Sequence, residues 1–181
     1  MYNTLATQGR ERVHTGLAGI DSSKLKKLRN TQLKECFSLI DEMRHKLEFV
    51  ARIKGISFVD DAASRSTMST WYALETMEGD VIWIANTTAN SSNSVAAYRR
   101  LRSLVENKVK MIVTLGDDTL YKTVFGDIVP RIESASSIGD AVHKAFYSNI
   151  ENVKILFSPS SENGVSYEEQ GDVFKHEVND L

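Results

Sequence analysis

Residues 81–85 (VIWIA) and 111–115 (MIVTL) are short, unbroken apolar runs. Such runs suit strands covered on both faces, because a strand with one wet face would alternate apolar with polar residues. Further strand-like stretches fall at 47–52, 56–59, 109–115 and 153–157, and helix-like ones at 67–77, 93–106, 118–125, 136–148 and 167–179. Strands alternating with helices predict an α/β fold: a Rossmann-like, mainly parallel sheet with helices on both faces. The first two strand candidates are separated only by Lys54-Gly55. That spacing predicts a hairpin, and with it one antiparallel strand.

Ahead of this pattern, residues 1–20 show no sustained period. Asp21, Ser22 and Ser23 offer side-chain oxygens for a helix start. Leu25, Leu28, Leu33, Cys36, Phe37, Ile40 and Met43 then recur at helical spacing, which predicts an amphipathic helix over about 22–44. The expected organisation is therefore a lead-in and helix over 1–44, followed by an α/β domain over 45–181. Cys36 lies on the apolar stripe and reads as a small core residue.

Composition narrows the function classes. The chain has 181 residues, 41% of them apolar and 25% charged, which is the balance of a globular domain. A single cysteine excludes an internal disulfide framework and a Cys-rich zinc site. The histidines His14, His45, His143 and His176 show no metal-ligand spacing, so no metal is expected. No apolar run reaches the ~18 residues of a membrane helix, and no secretory h-region opens the chain. The expected location is the cytoplasm, with no membrane partner. Residues 1–54 carry eleven Lys/Arg against six Asp/Glu, and residues 55–181 eleven against eighteen. The basic front coincides with the predicted helix and reads as its solvated face. Without a basic body or a stacking surface, nucleic acid is not expected as a partner.

In open α/β sheets, ligands bind beyond the carboxyl ends of the strands. Four loops qualify: 60–66, 86–94, 116–118 and 158–166. Asp60-Asp61 at a strand end can bind a divalent cation or ribose hydroxyls, and can equally cap a strand-to-helix turn. The loop NTTANSSNS (86–94) presents neutral donors and acceptors, for a polar ligand or for solvent. Gly116-Asp117-Asp118 reads as a turn and helix cap. Neither GxxxxGK[ST] nor GxGxxG occurs, so no phosphate cradle of those kinds is present.

One resemblance sharpens this reading. The segment HKLEFVARIKGISFVDDAASRSTMSTWYAL (45–74) resembles the opening of the C-terminal domain of the Mur ligase family, MurD type. That pattern runs His-Arg-Leu-Glu-x-Val, a Gly turn, a strand, N-D-S-K-A-T-N and a helix opening with Ser-Thr. His45, Leu47, Glu48, Val50, Gly55, Asp61, Ser69 and Thr70 fall in register. The segment ILFSPSSENGVSYEEQGDVF (155–174) is similar to the family's L-L-S-P-A followed by F-x-x-R-G-x-x-F, through Ser158, Pro159, Tyr167, Gly171 and Phe174.

The resemblance implies a domain that, in ATP-dependent carboxylate–amine ligases of peptidoglycan precursors, closes over a central nucleotide domain and positions the amino acid. It also implies departures. Ala63 stands at the family's lysine, Arg65 at its following threonine and Ala89 at a second lysine. The loop after Ser158-Pro159 is about three residues shorter. Losing cations that meet phosphate or carboxylate removes charge-assisted contacts of about 1–3 kcal/mol each. The expectation is a stand-alone, non-catalytic binding or scaffolding domain, a pseudoenzyme with no catalytic residues. The alternative is one subunit of a split ligase, with ATP and Mg only where a partner supplies the phosphate loop. The expected ligand residues are Asp61, Arg65, Ser69, Thr70 and Ser160, with helix capping and water as the competing role. A protein partner or homodimer is expected to use residues 22–44.

Overall fold

The apolar runs form the middle of a six-stranded sheet. The computed structural model describes residues 44–86 and 95–181. The lead-in and almost all of the helix expected over 22–44 therefore lie outside the described residues, as does most of the loop over 86–94. The strands are β1 (Glu48–Ile53), β2 (Ile56–Asp60), β3 (Asp80–Asn86), β4 (Val109–Leu115), β5 (Ile132–Ala135) and β6 (Val153–Phe157). Their order is β1-β2-β6-β3-β4-β5. β1 runs antiparallel to β2, and every other neighbouring pair is parallel. The hairpin turn places Lys54 at φ 49° and Gly55 at φ 86°. Two successive left-handed residues match the twist of paired strands, and glycine takes one of them without strain.

The helices are α1 (Thr67–Thr76), α2 (Val95–Arg99), α3 (Arg102–Lys108), α4 (Thr119–Phe125), α5 (Ile138–Phe146) and α6 (Tyr167–Asn179). They cover both faces. Val81, Trp83 and Ala85 of β3 pack in one core with Leu74, Tyr98, Val105 and Tyr121, from α1 to α4. Ile82 and Ile84 join a second core with Val142, Phe146, Phe174 and Val178 of α5 and α6. Burial on both sides is why these strands read as continuous apolar runs rather than alternating ones.

Two elements differ from expectation. The helix over 93–106 is divided into α2 and α3. At the break, Arg100 N–H donates to Ala97 O (3.3 Å) and Leu101 N–H to Tyr98 O (2.9 Å). These i→i−3 bonds tighten the turn and bring Tyr98 and Leu101, each 1% exposed, to the same side. β5 is an additional strand. It has four residues, lies at the sheet edge and buries only Ala135 fully, so no apolar run marks it. No helix among the described residues is long and apolar enough to cross a membrane.

The chain leaves β3 toward α2 and α3 on one face, and leaves β6 toward α6 on the other. β3 and β6 are neighbours, so a crevice opens between their carboxyl ends, where ligands of such sheets collect.

Candidate functional site

At the carboxyl ends of β2 and β6 a buried acid is held by partners from three elements. Asp61 is fully buried. Its Oδ1 lies 2.9 Å from Lys46 Nζ and accepts from Leu47 N–H at 3.3 Å. Its Oδ2 accepts from the Ser158 hydroxyl at 2.8 Å. Ser158 has then spent its proton, so the Thr70 hydroxyl at 2.8 Å donates to it. Lys46 Nζ also donates to Ser64 Oγ. The Trp83 indole N–H donates to Ser158 O at 2.7 Å, fixing the loop that carries this hydroxyl. Burial pushes the Asp61 carboxyl above its ordinary range, against the pull of the Lys46 ammonium.

The β3–β6 end is neutral. Ser160 is fully buried at φ 63°, a left-handed conformation that costs a non-glycine residue of order 1–3 kcal/mol. Its hydroxyl lies 2.8 Å from Tyr121 Oη and 3.1 Å from Tyr98 Oη. Tyr121 Oη also lies 3.1 Å from Asn86 O, an acceptor. Burial pushes the Tyr121 phenol well above its ordinary value, which keeps it neutral. Beside it, Asn86 Nδ2 donates to Gln170 Oε1 at 2.8 Å. Gln170 stands where the resembling F-x-x-R-G pattern has arginine, so a neutral amide replaces a cation at that position.

His45 is also fully buried. Its Nδ1 lies 2.6 Å from Asp60 Oδ2, and Gly171 packs against the ring so closely that a Cβ there would collide with it. His45, Glu48 and Asp60 bring potential metal-ligand atoms within 4.8 Å of one another. Lys175 Nζ already sits 2.7 Å from Glu48 Oε2 and 3.9 Å from Asp60 Oδ2. An internal ammonium therefore occupies the charge position a cation would take. Burial raises the Asp60 carboxyl, opposed by its bond to His45.

The five expected ligand residues thus divide. Asp61 and Thr70 meet through Ser158. Ser160 belongs to the tyrosine knot. Arg65 lies at the rim, 3.5 Å from Glu162 Oε1, with its guanidinium 5.7 Å over the Tyr167 ring. Ser69 forms a reciprocal capping box with Ser66 at the start of α1. Ala63 leaves no cation at its position, while Ala89 lies outside the described residues. Sequence reasoning missed Lys46, which stands at the arginine of the His-Arg-Leu-Glu pattern, as well as Tyr98, Tyr121 and Gln170. The departures at positions 46 and 170 were visible within the two matched patterns.

No family model matches the chain. UDP-N-acetylmuramoylalanine–D-glutamate ligase of Christiangramia forsetii is 30% identical over 98% of this chain and 40% of its own length. The Porphyromonas gingivalis protein of the same name is 32% identical over 98% of this chain and 39% of its own. Among solved structures, MurF ligase from Thermotoga maritima in complex with ADP is similar at a TM-score of 0.49 and 12% identity, covering 76% of this chain and 32% of that one. The chain spans about 40% of the length of the curated relatives it matches. By sequence, the chain is similar over nearly its whole length to the C-terminal part of the UDP-N-acetylmuramoylalanine–D-glutamate ligases.

Proposed function

We propose that this chain acts as a non-catalytic, Mur-ligase-type binding or scaffolding domain. The observation that carries the reading is the closed corner at β2 and β6. Lys46, Asp61, Ser158 and Thr70 satisfy one another inside the domain. Ala63 and Gln170 replace residues that the resemblance would make cations. An anionic ligand entering this edge would have to take Lys46 from a buried carboxylate, and an unpaired buried carboxylate is costly. Fold likeness alone does not supply chemistry when the charges of the site are spent elsewhere. In this reading the domain resides in the cytoplasm, and residues 22–44 supply the surface for a homodimer or a protein partner.

A second reading is favoured by one observation, the presence of a lysine beside Asp61. A nucleotide's hydroxyls could be bound by such a pair if the corner opens. The chain would then be one part of an ATP-dependent carboxylate–amine ligase, completed by a nucleotide-binding part on another polypeptide that brings ATP and Mg. Phosphate release separates the two readings. The first expects none above blank, alone or mixed with the N-terminal and central parts of a related ligase. The second expects release on mixing only.

A further inference from the structure

Asn163-Gly164 is the single Asn-Gly pair in the chain. It lies in the exposed loop between β6 and α6, where the Asn163 side chain is held against the buried Gln170. We propose that Asn163 is a site of spontaneous deamidation that the fold itself promotes, with water as the co-reactant and ammonia as the leaving product.

The reaction needs an electrophilic carbonyl carbon, a backbone nitrogen free to attack it and an amine that can leave. Asn163 Oδ1 accepts two hydrogen bonds, from Val165 N–H at 3.1 Å and from Gln170 Nε2 at 3.1 Å. A backbone N–H can only donate, which fixes this side-chain atom as the oxygen. Gln170 Nε2 is oriented in turn, because it also lies 3.1 Å from Val165 O, an acceptor. Negative charge that builds on Oδ1 as the carbon becomes tetrahedral therefore meets two donors already in place, the arrangement of an oxyanion hole. The attacking nitrogen belongs to Gly164, whose N–H has no hydrogen-bond partner among the described residues. Gly164 sits at φ 84°, and a Cβ built on it would meet nothing within 4 Å. Neither a side chain of its own nor a neighbour shields the approach. The leaving amine, Nδ2, faces Gln170 Oε1 at 3.3 Å.

In the first step Gly164 N gives its proton to water and bonds to Asn163 Cγ. The Cγ–Nδ2 bond breaks, ammonia leaves and a cyclic succinimide remains. Water then opens the ring. Cleavage at Cγ restores the Gly164 N–H and leaves an aspartate side chain; cleavage at the main-chain carbonyl leaves an isoaspartate linkage. Nothing is oxidised or reduced. The aspartate product sets a carboxylate oxygen where Nδ2 faced Gln170 Oε1, so half of the amide pair that ties the loop to α6 turns repulsive.

The full chain is held in weakly alkaline buffer, folded or in guanidinium chloride, and digested at intervals for peptide mass spectrometry. A gain of one dalton at Asn163 is expected, at least as fast in the folded chain as in the unfolded one. Asn107, Asn152 and Asn179, each followed by a bulkier residue, should lag far behind. In the folded chain Gln170→Leu removes one of the two donors to Oδ1 and should slow the gain about tenfold. A slower gain in the folded parent than in the unfolded one would overturn the proposal, since the fold would then suppress the reaction. No gain at Asn163, or an unchanged or faster gain in folded Gln170→Leu, would overturn it as well. The folded-against-unfolded comparison uses the parent chain, so it decides the matter even where the variant does not fold.

Discussion

Where β2 meets β6, the buried carboxyl edge is held through the carboxyl groups of Asp60 and Asp61; where β3 meets β6, a few residues away, it is held by hydroxyls and amides. Asp61 faces Lys46, and Asp60 faces His45 with Lys175 behind it. Ser160, Tyr98, Tyr121, Asn86 and Gln170 carry no formal charge between them. Both groups close loops onto the sheet, but they tolerate loss differently. Removing one member of a buried ion pair strands its partner's charge, whereas removing one hydroxyl strands a dipole. The ionic corner is therefore the more constrained, and in the proposed reading that constraint keeps Lys46 from serving an outside anion.

Lys46→Met should produce the largest effect. It leaves Asp61 buried without its cation, and a loss of about 3–5 kcal/mol in urea unfolding is expected. A loss as small as that of a neutral-corner variant would break the contrast between the two ends. The pH dependence sharpens the test. The folded-state pKa of Asp61 lies above its unfolded value, so its favourable contribution is present at low pH and is lost as pH rises through that raised value. Removing Lys46 should raise it further. The deficit of Lys46→Met should thus be full near neutral pH and shrink as pH falls through the carboxylate range.

Gly171→Ala comes next. The added Cβ meets the His45 ring, and overpacking of this kind costs about 1–3 kcal/mol. It should also disturb the imidazole signals of His45, seen by NMR. Tyr121→Phe removes the hydroxyl shared by Ser160 and Asn86 O, with an expected cost of about 1–2 kcal/mol. Ser69→Ala should have the smallest effect, under about 1 kcal/mol, because it removes only one half of an exposed capping box. A loss from Ser69→Ala comparable with that of Lys46→Met would show that the ranking by charge and burial is wrong.

Much of the sheet is legible in the sequence because its signals are local. VIWIA and MIVTL become β3 and β4, Lys54-Gly55 becomes the hairpin turn, and α6 occupies the stretch expected of it. β5 is not legible, since an edge strand with one buried residue writes no apolar pattern. The break between α2 and α3 is set by Tyr98 and Leu101 seeking the same core, a tertiary demand that overrides helical spacing. The site is legible only in part. Asp61 stands out as a strand-end acid, yet its partner Ser158 is 97 residues away, and Asn86 and Gln170 are 84 apart. Lys46 is near in sequence but reaches Asp61 only because β1 folds back on β2. Periodicity carries no trace of such pairings. Ser69 and Thr70 show the limit plainly. Adjacent in the chain and equal as candidates, they are separated by a helical turn's geometry into a solvent-facing cap and a buried bond to Ser158.

Calorimetric titration of the full chain with MgATP tests the closed corner most directly. With Lys46 committed to Asp61, the expected result is no saturable heat at millimolar nucleotide, for the parent chain and for Lys46→Met alike. Saturable binding by the parent chain that Lys46→Met abolishes, with the variant shown to be folded at the temperature used, would contradict the account. It would mean that Lys46 leaves its carboxylate to meet the nucleotide.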